Sequence, residues 1–388
     1  MHFDFDKVID RRGEGSLKWD TGVEDVLPMW VADMDFPTVP AVVKALEDRA
    51  AHGIFGYGKI MNGYDESAKA WLERRHSWKT EVEWFTHCPG IVSGLHFSAK
   101  AFLKPGEKIL MQSPVYYPFF EAAERNHVEV ISSSLIYADG RYEIDFSDFE
   151  KKASDPSVKV FFLCNPHNPS GRMWTKEELE RLGNICLSND VLVVSDEIHS
   201  DLALYGNQHI PFASINDAFA DNCITFLAPS KTFNLAGLQA SIMIAKNPKI
   251  RDAFNNEVWA AGINRPNVFA LAGLEAAYNN GDEWLDQLIS YLEGNIEYFI
   301  NRMAKEASEI KVMRPEAGYL VWFDFSALGI DSRVFHQKLI DVGKIWLDEG
   351  YIFGENGEGF ERINLACPRS IMEEGTTRLI RAIKMMEE

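Results

Sequence analysis

The feature that most constrains this chain is an alternation in its middle. Short apolar runs at 108–112, 129–133, 159–164, 191–196, 223–228 and 240–245 are separated by stretches of helical periodicity. The clearest helix opens at Thr175, where Thr175 and Glu178 form a capping-box pattern ahead of Leu179, Leu182 and Ile185. Strands alternating with helices predict an α/β layer on a mainly parallel central sheet. In such sheets ligands bind beyond the carboxyl ends of the strands. After about residue 280 the texture changes. A long helical stretch at 283–307 is followed by strand candidates at 311–314 and 319–324, a helix near 333–342 and a last helix from Ile371. This reads as a smaller α+β C-terminal domain. The expected division is a large domain over 46–280 and a small domain over 281–388. The first 45 residues can pack on either part and are grouped with the small one.

Three of the expected strands run into polar residues. The run at 223–228 is followed closely by Ser230-Lys231-Thr232-Phe233-Asn234. The run at 191–196 delivers Asp196 at its end, and the run at 159–164 leads into Asn165-Pro166-His167-Asn168-Pro169-Ser170-Gly171. An amine, a carboxylate and an amide are thus expected at one end of one sheet. Pyridoxal phosphate requires that set: an amine for its aldehyde, an acid for its ring nitrogen and a donor for its phenolic oxygen. A lone lysine is by default a solvated surface charge. Lys231 departs from that default because it follows a strongly apolar strand. A desolvated amine loses its proton and becomes a nucleophile.

The other candidates each admit two readings. Asp196 keeps a pyridine nitrogen protonated, or caps a helix. His199 is a hydrogen-bond partner near the phenolic oxygen, or a satisfied core histidine. The turn Gly90-Ile91-Val92-Ser93-Gly94-Leu95 precedes a helical pattern at 96–103. It offers free N–H groups to a phosphate, or is only a turn. Tyr116, in Ser113-Pro114-Val115-Tyr116-Tyr117-Pro118, stacks on a flat cofactor or sits in the core. Arg369 follows a strand-like segment and precedes a helix. It can hold a substrate carboxylate, or face solvent.

Composition removes several function classes. The net charge of −19 disfavours nucleic acid and anionic membranes as partners. The five cysteines are scattered and form no C-x-x-C pair, so zinc and redox-motif readings have little support. The absence of a disulfide framework fits a reducing compartment. The start Met1-His2-Phe3-Asp4-Phe5-Asp6-Lys7 has no basic head or apolar signal core. A cytoplasmic enzyme is the expectation.

Taken together, the motifs resemble a known family. They are Asp33-Met34-Asp35-Phe36, His52-Gly53-Ile54-Phe55-Gly56-Tyr57, Asn168-Pro169-Ser170-Gly171, Ser195-Asp196-Glu197-Ile198-His199, Ser230-Lys231-Thr232-Phe233-Asn234 and Asn364-Leu365-Ala366-Cys367-Pro368-Arg369-Ser370. In this order they resemble the fold-type I pyridoxal-phosphate enzymes of the class I/II aminotransferase superfamily. Within it the chain looks most like the MalY/PatB-type cystathionine β-lyases. The resemblance covers nearly the whole chain. It implies the aspartate aminotransferase-like fold, a pyridoxal 5'-phosphate cofactor, an amino-acid substrate and a homodimer. Lys231 matches the lysine that bonds the cofactor. Asp196 matches the ring-nitrogen partner, Asn168 the donor to the phenolic oxygen and Tyr116 the stacking ring. Val92 and Ser93 fall in the phosphate turn, with Ser230 beside it, and Arg369 matches the substrate-carboxylate arginine. Tyr57 matches a tyrosine reaching the phosphate from the other subunit. Two departures stand out. His199 replaces a tyrosine common in aminotransferases, as in the C–S lyases. Leu238-Gln239 replaces a region where many relatives carry a phosphate-binding arginine. The implied reaction is β-elimination from cysteine S-conjugates, with transamination as the alternative. A non-catalytic regulator on the same fold is opposed by the intact Lys231, Asp196 and Arg369.

Overall fold

The computed structural model describes residues 2–387. A seven-stranded sheet lies at its centre. In spatial order its strands are Phe85–Cys88, Ser241–Ile244, Cys223–Leu227, Leu192–Asp196, Val158–Cys164, Lys108–Met111 and Glu129–Ser132. Ser241–Ile244 runs antiparallel to both its neighbours, and the other pairings are parallel. Each apolar run read from the sequence forms a strand within one residue of its expected bounds. Phe85–Cys88 is an addition to them.

Helices cover both faces of the sheet, which is why its inner strands read as continuous apolar runs rather than alternating ones. Phe161, Leu163 and Val193 join one buried cluster, while Val160, Phe162 and Val194 join another. Successive side chains of a strand point to opposite faces. The helix Lys176–Ser188 opens with the expected capping box, Thr175 accepting from the Glu178 N–H and Glu178 accepting from the Thr175 N–H at 2.8 Å.

The helix expected at 96–103 begins earlier and spans Ile91–Phe102, with Gly90 as its N-cap. The expectation assigned both glycines to a turn. Gly94 lies inside the helix because the Phe226 ring packs where a side chain would stand, 2.3 Å from a Cβ built there.

A third apolar cluster, including Ile296, Phe323, Phe335 and Ile380, marks the C-terminal part. It is bounded by the helices Asp282–Glu306 and Arg369–Glu387. Its antiparallel sheet has the order Lys311–Val312, Leu320–Asp324, Phe360–Asn364, Asp348–Glu349. In that ladder Asp348 stands opposite Arg362.

The segment 27–36 runs as a strap over the sheet ends. Leu27–Pro28 pairs in parallel with Ile345–Trp346. The Asn364 side chain donates to Val31 O and Asp33 O at 2.6 and 2.7 Å. From the other side, Asn234 accepts from Met34 N and donates to Met34 O and Phe36 O. The helix Pro40–Ala51 follows and packs on Val268–Asn280. The expected boundary at 45/46 falls within this helix.

Candidate active site

The carboxyl ends of three neighbouring strands converge. Cys164 stands opposite Asp196, and Asp196 opposite Phe226. The chain leaving these ends carries Asn168, Asp196 and Lys231 into one cavity of about 270 Å³. Val92, Ser93, Tyr116, His199 and Ser230 also line it. Eight residues selected from the sequence are therefore brought together, and Tyr57 and Arg369 are not among them.

Burial, helped by the nearby Arg362 charge and opposed by Asp33 and Asp196, lowers the Lys231 amine from its ordinary value to about 8. Its Nζ donates to Ala32 O at 2.7 Å. The Tyr319 hydroxyl donates to the same oxygen at 2.9 Å. Burial lifts the Asp196 carboxyl to about 7, opposed by the Ile198 N–H on Oδ1 and by Lys231. A cation bound beside it would draw that carboxyl back to the charged form. Burial, followed by Lys231 and Arg362, depresses His199 to about 3, so its imidazole is neutral. Its buried Nδ1 has no hydrogen-bond partner. Burial also pushes the Tyr116 hydroxyl above its usual range.

The Asn168 amide is oriented by its neighbour. Its Oδ1 accepts from Arg362 Nη1 at 3.0 Å. A guanidinium can only donate, so the amide oxygen must face it. That leaves the Asn168 NH₂ as the donor available to the cavity. At the opposite wall the helix Ile91–Phe102 starts with no side-chain cap, and Gly90, Val92 and Ser93 line the cavity there. Uncapped N–H groups at a helix start favour an anion. Lys231 is the one Lys or Arg among the described residues lining the cavity, and Gln239 lines it as well. A phosphate held here would meet backbone and hydroxyl donors rather than an arginine. The unpartnered His199 nitrogen, the oriented amide, the acid, the low-pKa amine and the uncapped helix fit pyridoxal phosphate.

The structure places Arg369 outside the lining of the cavity. It begins the last helix, its N–H donates to the Tyr291 hydroxyl at 2.7 Å, and its guanidinium lies over the Tyr298 ring at 5.3 Å. The arginine beside the cavity is Arg362, inside the strand Phe360–Asn364 and only 2% exposed. Sequence reading rests on Arg369 because it lies between a strand-like segment and a helix and matches the family motif; Arg362, a charge inside a buried strand, departs from the usual pattern. That departure is the signal by which Arg362 could be found. Ala32 and Tyr319 also lie outside sequence reading, since a backbone carbonyl leaves no trace in composition and the Tyr319 hydroxyl meets the site only through it. Tyr57 is 93% exposed and lies outside its own chain's cavity, with Arg265 over its ring at 5.6 Å. Among the described residues no group of His, Cys, Asp and Glu could hold a metal ion, and no helix is long and apolar enough to cross a membrane.

An amine, an acid and an oriented amide at the strand ends of this fold define the site of a pyridoxal-phosphate-dependent enzyme. The chain belongs to the family of class I and II aminotransferases, whose profile matches residues 24–379. It is 45% identical to cystathionine β-lyase PatB of Bacillus subtilis, over 98% of this chain and 99% of that protein. Among solved structures it is similar to cystalysin of Treponema denticola, which contains a pyridoxal 5'-phosphate cofactor. The TM-score is 0.96 at 38% identity, covering 99% of this chain and 100% of that one. The PLP-bound C–S lyase of Staphylococcus hominis gives 0.94 at 34% identity, covering 99% and 98%.

Proposed function

We propose that this chain is a pyridoxal-phosphate-dependent carbon–sulfur β-lyase of the cystathionine β-lyase type. It cleaves cysteine S-conjugates to a thiol, pyruvate and ammonia. The observation that carries this reading is the convergence of Lys231, Asp196 and Asn168 on one cavity. The similarity to PatB and to the two C–S lyase structures favours elimination over amino transfer.

Bound through Lys231, the cofactor supplies an electron sink conjugated to the substrate's Cα. Asp196 would keep a proton on the ring nitrogen, the Asn168 NH₂ would donate to the phenolic oxygen with His199 alongside, Tyr116 would stack on the ring, and Val92, Ser93 and Ser230 would hold the phosphate. We assign the substrate's α-carboxylate to Arg362 in place of Arg369. Lys231 Nζ would take the substrate's Cα proton as general base. Burial, by lowering this amine to about 8, makes it release its proton more readily than an ordinary lysine. The Cβ–S bond then breaks and its electron pair leaves with sulfur as a thiolate. Water hydrolyses the remaining three-carbon enamine to pyruvate and ammonia. For cystathionine the balance is cystathionine plus water giving homocysteine, pyruvate and ammonia.

A homodimer is supported by an exposed apolar group around Tyr57, including Ile54, Phe55 and Met61. In it Tyr57 reaches the partner's phosphate site. Chains carrying Tyr57→Phe mixed with chains carrying Lys231→Ala should regain part of the activity as hybrids. A cytoplasmic setting is supported by five free, buried cysteines.

The test is to incubate the purified protein with cystathionine and measure pyruvate and free thiol. Equal amounts without a keto acid are expected. Dependence on added 2-oxoglutarate, with no thiol released, would replace the lyase reading with aminotransfer.

A further inference from the structure

Arg362 and Asp348 face each other as register partners in the ladder between Phe360–Asn364 and Asp348–Glu349. Directly opposed residues share one face of a sheet, with Cβ atoms roughly 5 Å apart. Asp348 is 4% exposed, and its Oδ2 accepts from Arg362 Nη2. Neither charge has much contact with bulk water. A guanidinium does not give up its proton, so at a dry position it needs a fixed counter-charge. Burial lifts the Asp348 carboxyl to about 6, and the guanidinium opposes that rise. Arg362 also donates to Asn168 Oδ1 at 3.0 Å and to Trp30 O at 3.2 Å. Its head lies over the Phe353 ring at 4.9 Å, and its Nε–H has no partner. Neither Asp348 nor Arg362 lines the cavity directly; Arg362 borders it through its hydrogen bond to Asn168.

We infer that Asp348 is a positioning residue for the reaction: it fixes the Arg362 guanidinium so that the unpaired N–H groups meet the substrate's α-carboxylate, and through Arg362 it fixes the Asn168 amide. This rests on the assignment of Arg362 as the carboxylate clamp. A long, flexible side chain loses rotamer freedom when a ligand immobilises it, and that loss weakens binding. The ion pair with Asp348 imposes the loss during folding instead. Asp348 should therefore act on substrate binding more than on the proton transfer at Lys231.

The experiment uses the holoenzyme with cystathionine as substrate and propionate, a bare carboxylate, as competitive inhibitor. Asp348→Asn should raise the KM for cystathionine and the inhibition constant of propionate by about tenfold or more, with kcat within about threefold. The absorbance of bound cofactor should stay at wild-type strength. Asp348→Glu keeps the charge but moves it by one methylene, and should raise both constants by only about two- to fivefold. An unchanged KM in Asp348→Asn would overturn the inference. So would a lowered KM, because Asp348 would then be competing with the substrate for Arg362. If Asp348→Asn does not fold, Asp348→Glu answers the question, and an unchanged KM there overturns the inference. Arg362→Lys separates the two layers. If it leaves both constants unchanged, the clamp assignment fails and the inference with it. If it raises both while Asp348→Asn does not, only the role of Asp348 fails.

Discussion

Keeping an ionisable amine in the cavity lowers the stability of the cofactor-free protein, and Lys231→Met should restore it. Burial moves Lys231 from 10.5 to about 8. That difference is about 2.5 units, or about 3 kcal/mol at roughly 1.36 kcal/mol per unit. The figure is an upper bound, because one side of the amine faces the cavity. The folded value lies below the unfolded one, so the unfolded chain binds more protons between pH 8 and 10.5. Stability therefore rises with pH across that window. Below pH 8 the whole penalty is present, and above 10.5 it is gone. Methionine removes the titrating group, and with it the hydrogen bond from Nζ to Ala32 O at 2.7 Å. That bond is worth about 1 kcal/mol, and Ala32 O keeps its bond from Tyr319. The net gain at pH 7 is about 2 kcal/mol. With 388 residues at roughly 2.1 cal/mol/K each, the unfolding entropy is about 0.8 kcal/mol/K, so Tm should rise by about 2–3 °C. Scanning calorimetry of both proteins, stripped of cofactor with hydroxylamine, at pH 7 and pH 10 measures this. At pH 10 the advantage should vanish. A variant less stable than wild type at pH 7, or a difference that ignores pH, would refute the picture of a desolvated lysine.

Three further outcomes are expected. Asp196→Ala should keep much of its cofactor but lose turnover by about 10² or more, as when a charge-stabilising group is removed; near wild-type turnover would take Asp196 out of the mechanism. The rate at which the cofactor-free protein recaptures pyridoxal phosphate should rise with pH and level off above about 8, since the neutral amine is the nucleophile. A midpoint near the ordinary lysine value would count against it. Asn234→Gly should cost about 2 kcal/mol in urea unfolding, by removing three strap hydrogen bonds while tolerating the left-handed backbone at φ 57°. An unchanged midpoint would mean that the strap is held mainly by Asn364.

The legible part of the site lay where sequence order and spatial order coincide. Asn168, Asp196 and Lys231 each follow a buried parallel strand, so all three were readable as strand-end residues on one sheet edge. Arg362 was not, because its place depends on a cross-strand register that periodicity does not state. Direction was equally silent: the run 240–245 is as apolar as its neighbours, yet Ser241–Ile244 runs against them. The N-terminal residues were hardest to place. Lys18 is 1% exposed and donates to Asp35 at 2.6 Å, with Arg11 on the other carboxylate oxygen at 2.6 Å. Such a buried network reads in sequence as ordinary surface charge. Helix starts were clear when a side chain made the cap, as at Thr175, and unclear when none did, as at Gly90.

Connections between strands commonly accept inserted residues. The one joining Asp348–Glu349 to Phe360–Asn364 should be an exception. It closes on itself through two glycines: a Cβ on Gly350 would meet Phe360 O at 2.2 Å, and one on Gly357 would meet Gly350 O at 1.9 Å. Slipping such a ladder by one residue turns every side chain of a strand to the opposite face. Asp348 would then leave Arg362, although no residue had been substituted. The number of residues in this connection is thus a heritable determinant of the site, and loop grafting or indel libraries that treat it as spare surface should lose activity while sparing every named functional side chain.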